Sequence, residues 1–247
     1  MEHPTIKLQF DQKLDQDLAW DFYNNQKFGG CDFWKERALR YHPLLINIES
    51  SEDKRKYLDN YISEYYISHK DEIKSLCNKT IEYLKQEQEK YFLLVDKIFK
   101  NYPWPKEELI GNFSIFDFCP RFLEDGEFQV FIYGNHNLQL FTIFHECLHF
   151  IFYDFAQKKF PGTLGKMNTE KGELWDIAEV FNAVIQNTDD FIDLHSKIEN
   201  IGYPDHKELI TKGTLLWRKH HDVYSWINGM LNYTFLTVDS SLKCNSL

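Results

Sequence analysis

The sequence has little of what marks a disordered, disulfide-bonded or membrane-spanning chain. Only 11 of its 247 residues are glycine and 17% are aromatic, a composition typical of a globular protein. The five cysteines are odd in number and lack paired spacing, so reduced thiols are expected. Residues 1–4 form no basic and apolar leader, and no uninterrupted apolar run reaches membrane-spanning length. We therefore expect a cytoplasmic protein with no membrane partner.

The sequence also lacks any concentration of basic residues. Its net charge is −10, residues 51–100 carry equal numbers of acidic and basic side chains, and the excess of acid lies mainly after residue 100. Because a nucleic-acid partner requires a basic surface, we do not expect one.

Hydrophobic patterns predict an α+β protein that is mainly helical. Thr5–Phe10 alternates as a strand does, and residues 51–100 predict two amphipathic helices that form a hairpin. The prolines at 103 and 105 end the second helix and mark the clearest boundary. The sequence therefore predicts a mainly helical region, residues 1–102, that packs on a second region, residues 103–247.

The second region begins with extended segments. Residues 113–118 and 128–133 predict two strands, and Glu124-Asp125-Gly126 predicts a hairpin turn that joins them. Gly134-Asn135-His136-Asn137 then supplies a turn and a helix cap after the second strand.

That helix, residues 138–156, contains the most informative pattern in the chain, His145-Glu146-Cys147-Leu148-His149. Two histidines four residues apart lie on one face of a helix, so both imidazoles can bind one metal ion. Glu146 projects near that ion without being a ligand, which suits a zinc ion with an open water position and an adjacent base. The alternative is a pair of core histidines hydrogen-bonded to carbonyls, with Glu146 at the surface.

A third zinc ligand is expected from the next predicted helix, residues 173–186. Glu173, Asp176, Glu179 and Asn182 recur every third residue in an otherwise apolar segment, and a buried acidic stripe is costly unless it meets a cation. We assign Glu179, which has apolar neighbours, as the ligand, with Glu173 or Asp176 as alternatives. Asp176 and Asn182 could accept the outer ring hydrogens of the histidines.

Zinc hydrolases usually need a donor that stabilises the oxyanion opposite the metal. The segment after residue 217 offers His220, His221 and Tyr224 for this role. Exposed histidines beside basic residues are the alternative interpretation.

Together these patterns resemble the gluzincin metallopeptidases, the thermolysin-like group, and in particular its minimal members. The matching residues are His145, Glu146, His149 and Glu179. Residues 130–135 are also similar to the strand and turn that precede the metal helix in that group. The resemblance implies a zincin-like fold, with a small mixed sheet packed on the active-site helix and extra helices at both ends. It also implies that residues 113–118 are an edge strand along which a peptide lies.

The leading functional hypothesis is a zinc-dependent peptidase acting on a peptide or protein substrate, with Glu146 as general base. A second hypothesis is a non-proteolytic zincin-like binding or regulatory module whose metal site is occluded by the helices of residues 51–100. A third is a purely structural helical protein in which the motif is accidental.

Overall fold

A computed structural model describes residues 2–25, 27–28 and 30–244, without the side chains of residues 28 and 234–244. The described part of the chain is mainly helical and contains a small mixed sheet, which confirms the α+β class. The strands are β1 (Thr5–Phe10), β2 (Lys27–Phe28), β3 (Cys31–Asp32), β4 (Glu108–Ser114), β5 (Arg121–Phe122) and β6 (Glu127–Phe131). The α-helices are α1 (Gln12–Asn24), α2 (Leu39–Tyr41), α3 (Lys54–Ser68), α4 (Lys70–Phe99), α5 (His136–Lys159), α6 (Glu173–Gln186), α7 (Asp189–Ile192), α8 (Lys207–His220) and α9 (Val223–Cys244).

The main sheet has the strand order β1-β4-β6-β5. β1 pairs with β4 and β4 with β6 in parallel, whereas β5 pairs with β6 in the antiparallel direction. Gly126, with φ at +76°, forms the tight turn between β5 and β6. The predicted hairpin between residues 113–118 and 128–133 is therefore wrong, because the turn at residues 124–126 joins β5 to β6.

The predicted edge strand is also wrong. Phe113 and Ser114 end β4, which lies between β1 and β6, so the sheet edges are β1 and β5. Phe113, Phe116 and Phe118 are buried in the core. A strand that is covered on both faces has a continuous apolar sequence. This pattern does not indicate whether the strand lies at the edge or in the middle of the sheet.

The N-terminal helices agree with the sequence patterns. Asp53 caps α3 by accepting a hydrogen bond from the Lys56 amide, and α4 follows at once as a helix of 30 residues. β1 precedes residue 102 and pairs with β4, which follows it. The two predicted regions therefore share one sheet and one buried core.

Helices α5 and α6 pack against each other beside the sheet and carry the motif residues. Asn135 caps α5 through a hydrogen bond from the Leu138 amide, and α5 buries most of its length. α6 begins after Gly172, which has φ at +81°. Helix α8 packs on α6, and α9 packs on α8. Within the described residues, no helix combines the length and apolarity needed to cross a membrane.

Candidate metal centre

The side chains of His145, His149 and Glu179 meet between α5 and α6. The two histidine Nε2 atoms are 3.1 Å apart. Glu179 Oε2 lies 3.4 Å from His145 Nε2, and Glu179 Oε1 lies 3.4 Å from His149 Nε2. Ligand atoms bound tetrahedrally at zinc distances are separated from one another by about 3.4 Å. The spacing of the three side chains therefore fits one zinc ion.

The surroundings of the two rings argue against ordinary core histidines. His149 is fully buried, and its Nδ1 atom has no hydrogen-bond partner among the described residues. His145 bonds through Nδ1 to a side-chain amide, and in the described structure neither ring bonds to a backbone carbonyl. Two imidazole nitrogens and a carboxylate oxygen that converge in a buried space are instead the donor set that zinc binds.

Gln186 fixes the orientation and protonation of the His145 ring. Its Oε1 atom lies 2.9 Å from His145 Nδ1 and accepts a second hydrogen bond, of 2.8 Å, from Asn200 Nδ2. Gln186 Nε2 donates to the Phe141 carbonyl at 3.0 Å, which sets the direction of the amide. Oε1 must therefore accept from His145 Nδ1–H, so Nε2, which faces His149 and Glu179, is the ring nitrogen that would bind a metal.

The predicted acceptors for the ring hydrogens, Asp176 and Asn182, have other roles. Asp176 Oδ1 lies 2.9 Å from His206 Nε2. Asn182 Nδ2 donates to the His145 backbone carbonyl at 2.8 Å and so joins α6 to α5. The sequence prediction was wrong because Gln186, one helical turn further along α6, lies closer to the His145 ring.

Glu146 lies in the same cleft as His145 and Glu179, with 5% of its surface exposed. Its Oε2 atom has no hydrogen-bond partner within the described part of the chain. Burial raises the pKa of Glu146 to about 7, against the opposing charges of His145 and Arg121. A carboxyl group with a pKa near neutrality can both accept and return a proton at physiological pH.

The cleft has a volume of about 550 Å³, and its walls combine apolar side chains with charged and polar ones, including several carboxyl groups. Its apolar side chains include Phe33, Phe118, Phe131, Leu138, Phe141 and Ile201. Tyr203, Arg37 and Arg40 add hydrogen-bond donors, and no pattern in the sequence indicated a role for any of them. No described residue from 51–100 lines this cleft.

The predicted oxyanion donors lie elsewhere. His220 ends α8 and His221 follows it with φ at +48°, while Tyr224, at the start of α9, is 50% exposed and stacks on Phe160. None of the three is among the described residues that line the cleft. The structure thus brings Glu146 to the three candidate ligands but does not bring His220, His221 or Tyr224 there.

Sequence reasoning also missed Arg121, which lies in β5. Its Nη1 donates to Glu179 Oε1 at 3.3 Å, and its Nη2 donates to the Tyr153 hydroxyl at 2.7 Å and to the Thr169 carbonyl at 3.1 Å. Arg121 and Glu179 are 58 residues apart, and no local pattern in the sequence connects them.

No protein-family model, curated protein or solved structure matches this chain. The site geometry and the sequence motif are therefore the basis on which its function is inferred.

Proposed function

We propose that the protein is a zinc-dependent peptidase. The observation that carries the proposal is the convergence of His145 Nε2, His149 Nε2 and the Glu179 carboxylate at separations of 3.1 to 3.4 Å, with Glu146 in the same cleft. A zinc ion held by these three side chains would supply Lewis acidity toward a carbonyl oxygen and lower the pKa of a bound water toward neutrality.

Glu146 is the proton carrier in this mechanism. It takes a proton from the attacking water and then delivers it to the leaving amine. Both transfers are favoured by a carboxyl group whose pKa lies near neutrality, and in the metal-free protein burial raises the pKa of Glu146 to about 7. Its unpartnered Oε2 atom supports the role, since no described protein group occupies that oxygen.

The cleft favours a peptidase over an occluded binding module. Residues 51–100 form α3 and α4, and none of their described residues lines the cleft that contains His145 and Glu146. The mixed walls suit a peptide, because apolar side chains such as Phe118 can contact its side chains while Tyr203 and Arg37 offer donors to its backbone carbonyls.

Zinc content and cleavage of a mixed peptide library, measured on the same variants, test the proposal. Wild-type protein should carry one zinc and cleave peptides. Glu146→Gln should keep its zinc and lose turnover, because the amide cannot accept the proton. Glu179→Gln should lose most of its zinc, because a carboxylate is the better zinc ligand.

Glu173→Gln is the matched control, since it removes a carboxylate from the first turn of the same helix. It should leave both zinc and activity unchanged. Zinc loss in Glu173→Gln with retention in Glu179→Gln would reassign the ligand. A wild-type protein without zinc, or Glu146→Gln cleaving at the wild-type rate, would overturn the proposed function.

A further inference from the structure

Arg121 is a buried cation that the proposed reaction does not use. Its side chain is 8% exposed, and its ion-pair partner Glu179 is 6% exposed. A guanidinium stays charged in proteins, and burying it is costly unless its donors are satisfied. Its two terminal nitrogens donate to Glu179, to the Tyr153 hydroxyl and to the Thr169 carbonyl, whereas Nε has no partner among the described residues.

The contact with Glu179 orients the carboxylate. Arg121 bonds to Oε1, the oxygen that also faces His149 Nε2, while Oε2 faces His145 Nε2. A carboxylate oxygen offers two lone pairs, so Oε1 can accept from Arg121 and still point toward the histidines. The guanidinium also supplies the positive charge that a buried carboxylate needs before a metal arrives.

The other two contacts connect Arg121 to the metal helix and to the loop that leaves it. Tyr153 lies one turn after His149 on α5, and the two rings stack with centroids 5.7 Å apart. Tyr153 donates to the same Thr169 carbonyl, at 2.9 Å, that accepts from Arg121. Arg121 therefore links β5, α5, α6 and the segment of residues 160–172 between the two helices.

We infer that Arg121 is a positioning residue that holds Glu179 toward the two histidines, so that the metal site is preformed in the metal-free protein. The inference rests on the proposed function, because it requires His145, His149 and Glu179 to bind zinc.

The test is the zinc dissociation constant of the full-length, metal-free protein, measured by competition with a chromophoric chelator. Losing an outer-shell partner of a ligand typically weakens metal binding by about 10–100-fold, and we expect a loss of that size in Arg121→Met. Arg121→Lys should have a zinc dissociation constant between those of wild type and Arg121→Met, because lysine keeps the positive charge but lacks the forked set of donors. Arg55→Met is the matched control, since Arg55 contacts two carboxylates, Asp17 and Asp59, outside the site.

A double variant shows whether Arg121 acts through Glu179. In the Glu179→Gln background, zinc bound by the two remaining histidines is weaker, and Arg121→Met should weaken it no further. A general loss of folding would instead lower zinc affinity in both backgrounds and would contradict a positioning role. If Arg121→Met cannot be purified folded, the Arg121→Lys measurement decides alone.

The outcomes separate the two proposals. A wild-type protein that binds no zinc overturns both. A wild-type protein that binds zinc, together with an Arg121→Met variant that binds it as tightly or more tightly, overturns the role of Arg121 and leaves the proposed function standing. Tighter binding would mean that charge repulsion from Arg121 outweighs its positioning of Glu179.

Discussion

At the scale of single residues, two carboxyl groups in one buried site have pKa values that are shifted in opposite directions. Burial acts to raise the pKa of both Glu146 and Glu179. For Glu179 the hydrogen bond from His145 and the charge of Arg121 outweigh burial, so its pKa is lowered. Glu146 has no such pairing at Oε2, and its pKa rises to about 7. This difference suits Glu179 to a ligand, which must be ionised, and Glu146 to a proton carrier.

Tyr203 is the residue whose place in the cleft suggests an oxyanion donor. Burial is the main cause that raises the pKa of its hydroxyl, so the phenol stays protonated at neutral pH. Its ring lies 5.2 Å from that of Trp175 and 5.6 Å from that of His206. We expect Tyr203→Phe to lower kcat by about 100-fold, the cost of one oxyanion donor, with zinc content unchanged.

Tyr224→Phe provides the comparison for that measurement, because Tyr224 was a predicted candidate, together with His220 and His221, and is not among the described residues that line the cleft. Steady-state peptide cleavage by both variants checks the assignment. Full activity in Tyr203→Phe, or a large loss in Tyr224→Phe, would return the role to the segment around residue 220.

The candidate ligands that both the sequence patterns and the structure bring together are those with local signals. Four-residue spacing brings His145 and His149 to one helix face, and the polar stripe on α6 led to Glu179. Gln186 and Arg121 were missed because each meets its partner through tertiary packing, 41 and 58 residues away along the chain.

At the scale of elements, Gly213 sets how closely α8 approaches its neighbours. A Cβ atom at this position would lie 3.1 to 3.2 Å from Val180 and Val184 of α6 and from Trp226 of α9. The Gly213 carbonyl accepts a 2.8 Å hydrogen bond from Trp226 Nε1 in the buried interface. Because Val180 adjoins Glu179, this contact also supports the helix that carries the third candidate ligand.

Gly213→Val should therefore destabilise the protein by about 1–3 kcal/mol, the usual cost of overpacking a core. The smaller change Gly213→Ala should cost less, since alanine gains about 1 kcal/mol of helix propensity over glycine. Urea unfolding measures both. Gly162→Val serves as the control, because a Cβ at Gly162 meets no atom within 4 Å. Equal stability of the two valine variants would show that Gly213 does not limit helix packing.

The helices were more predictable than the sheet for a physical reason. The limits of α4 and α6 follow from periodicity and end signals within each segment. β4 pairs with β6 in parallel, so no hairpin turn connects these two strands. The turn at Gly126 connects β6 to the two-residue strand β5 instead. Local patterns cannot distinguish these pairings.

At the scale of the whole molecule, Asp15 ties the N-terminal helices to the sheet. This fully buried side chain on α1 accepts hydrogen bonds from the Tyr66 hydroxyl on α3, the Ile115 amide after β4, and Gln129 Nε2 on β6. Together with the pairing of β1 and β4, these bonds make residues 1–102 part of the same packed body as the sheet.

The titration of Asp15 should appear in the stability of the entire chain. Burial raises the pKa of Asp15 from 3.8 to about 6, so between these pH values the folded state keeps a proton that the unfolded chain has lost. The contribution of Asp15 to the free energy of unfolding is therefore largest at and below pH 4 and decreases as the pH rises to 6. Above pH 6 this contribution is lower by about 3 kcal/mol than at pH 4.

Asp15→Asn removes this titration while keeping the shape of the side chain. The new amide can donate to Gln129 Oε1, which has no partner among the described residues, once the Gln129 amide rotates by half a turn. Urea unfolding of the metal-free proteins at pH 4, 5, 6 and 7 gives the difference in stability between wild type and variant. We expect the free energy of unfolding of wild type, relative to that of Asp15→Asn, to fall by about 3 kcal/mol between pH 4 and pH 7. Only wild type must ionise a buried carboxyl group over this range. A difference that stays constant or changes in the opposite direction would mean that Asp15 is ionised in the folded protein, where its hydrogen bonds outweigh the cost of burial.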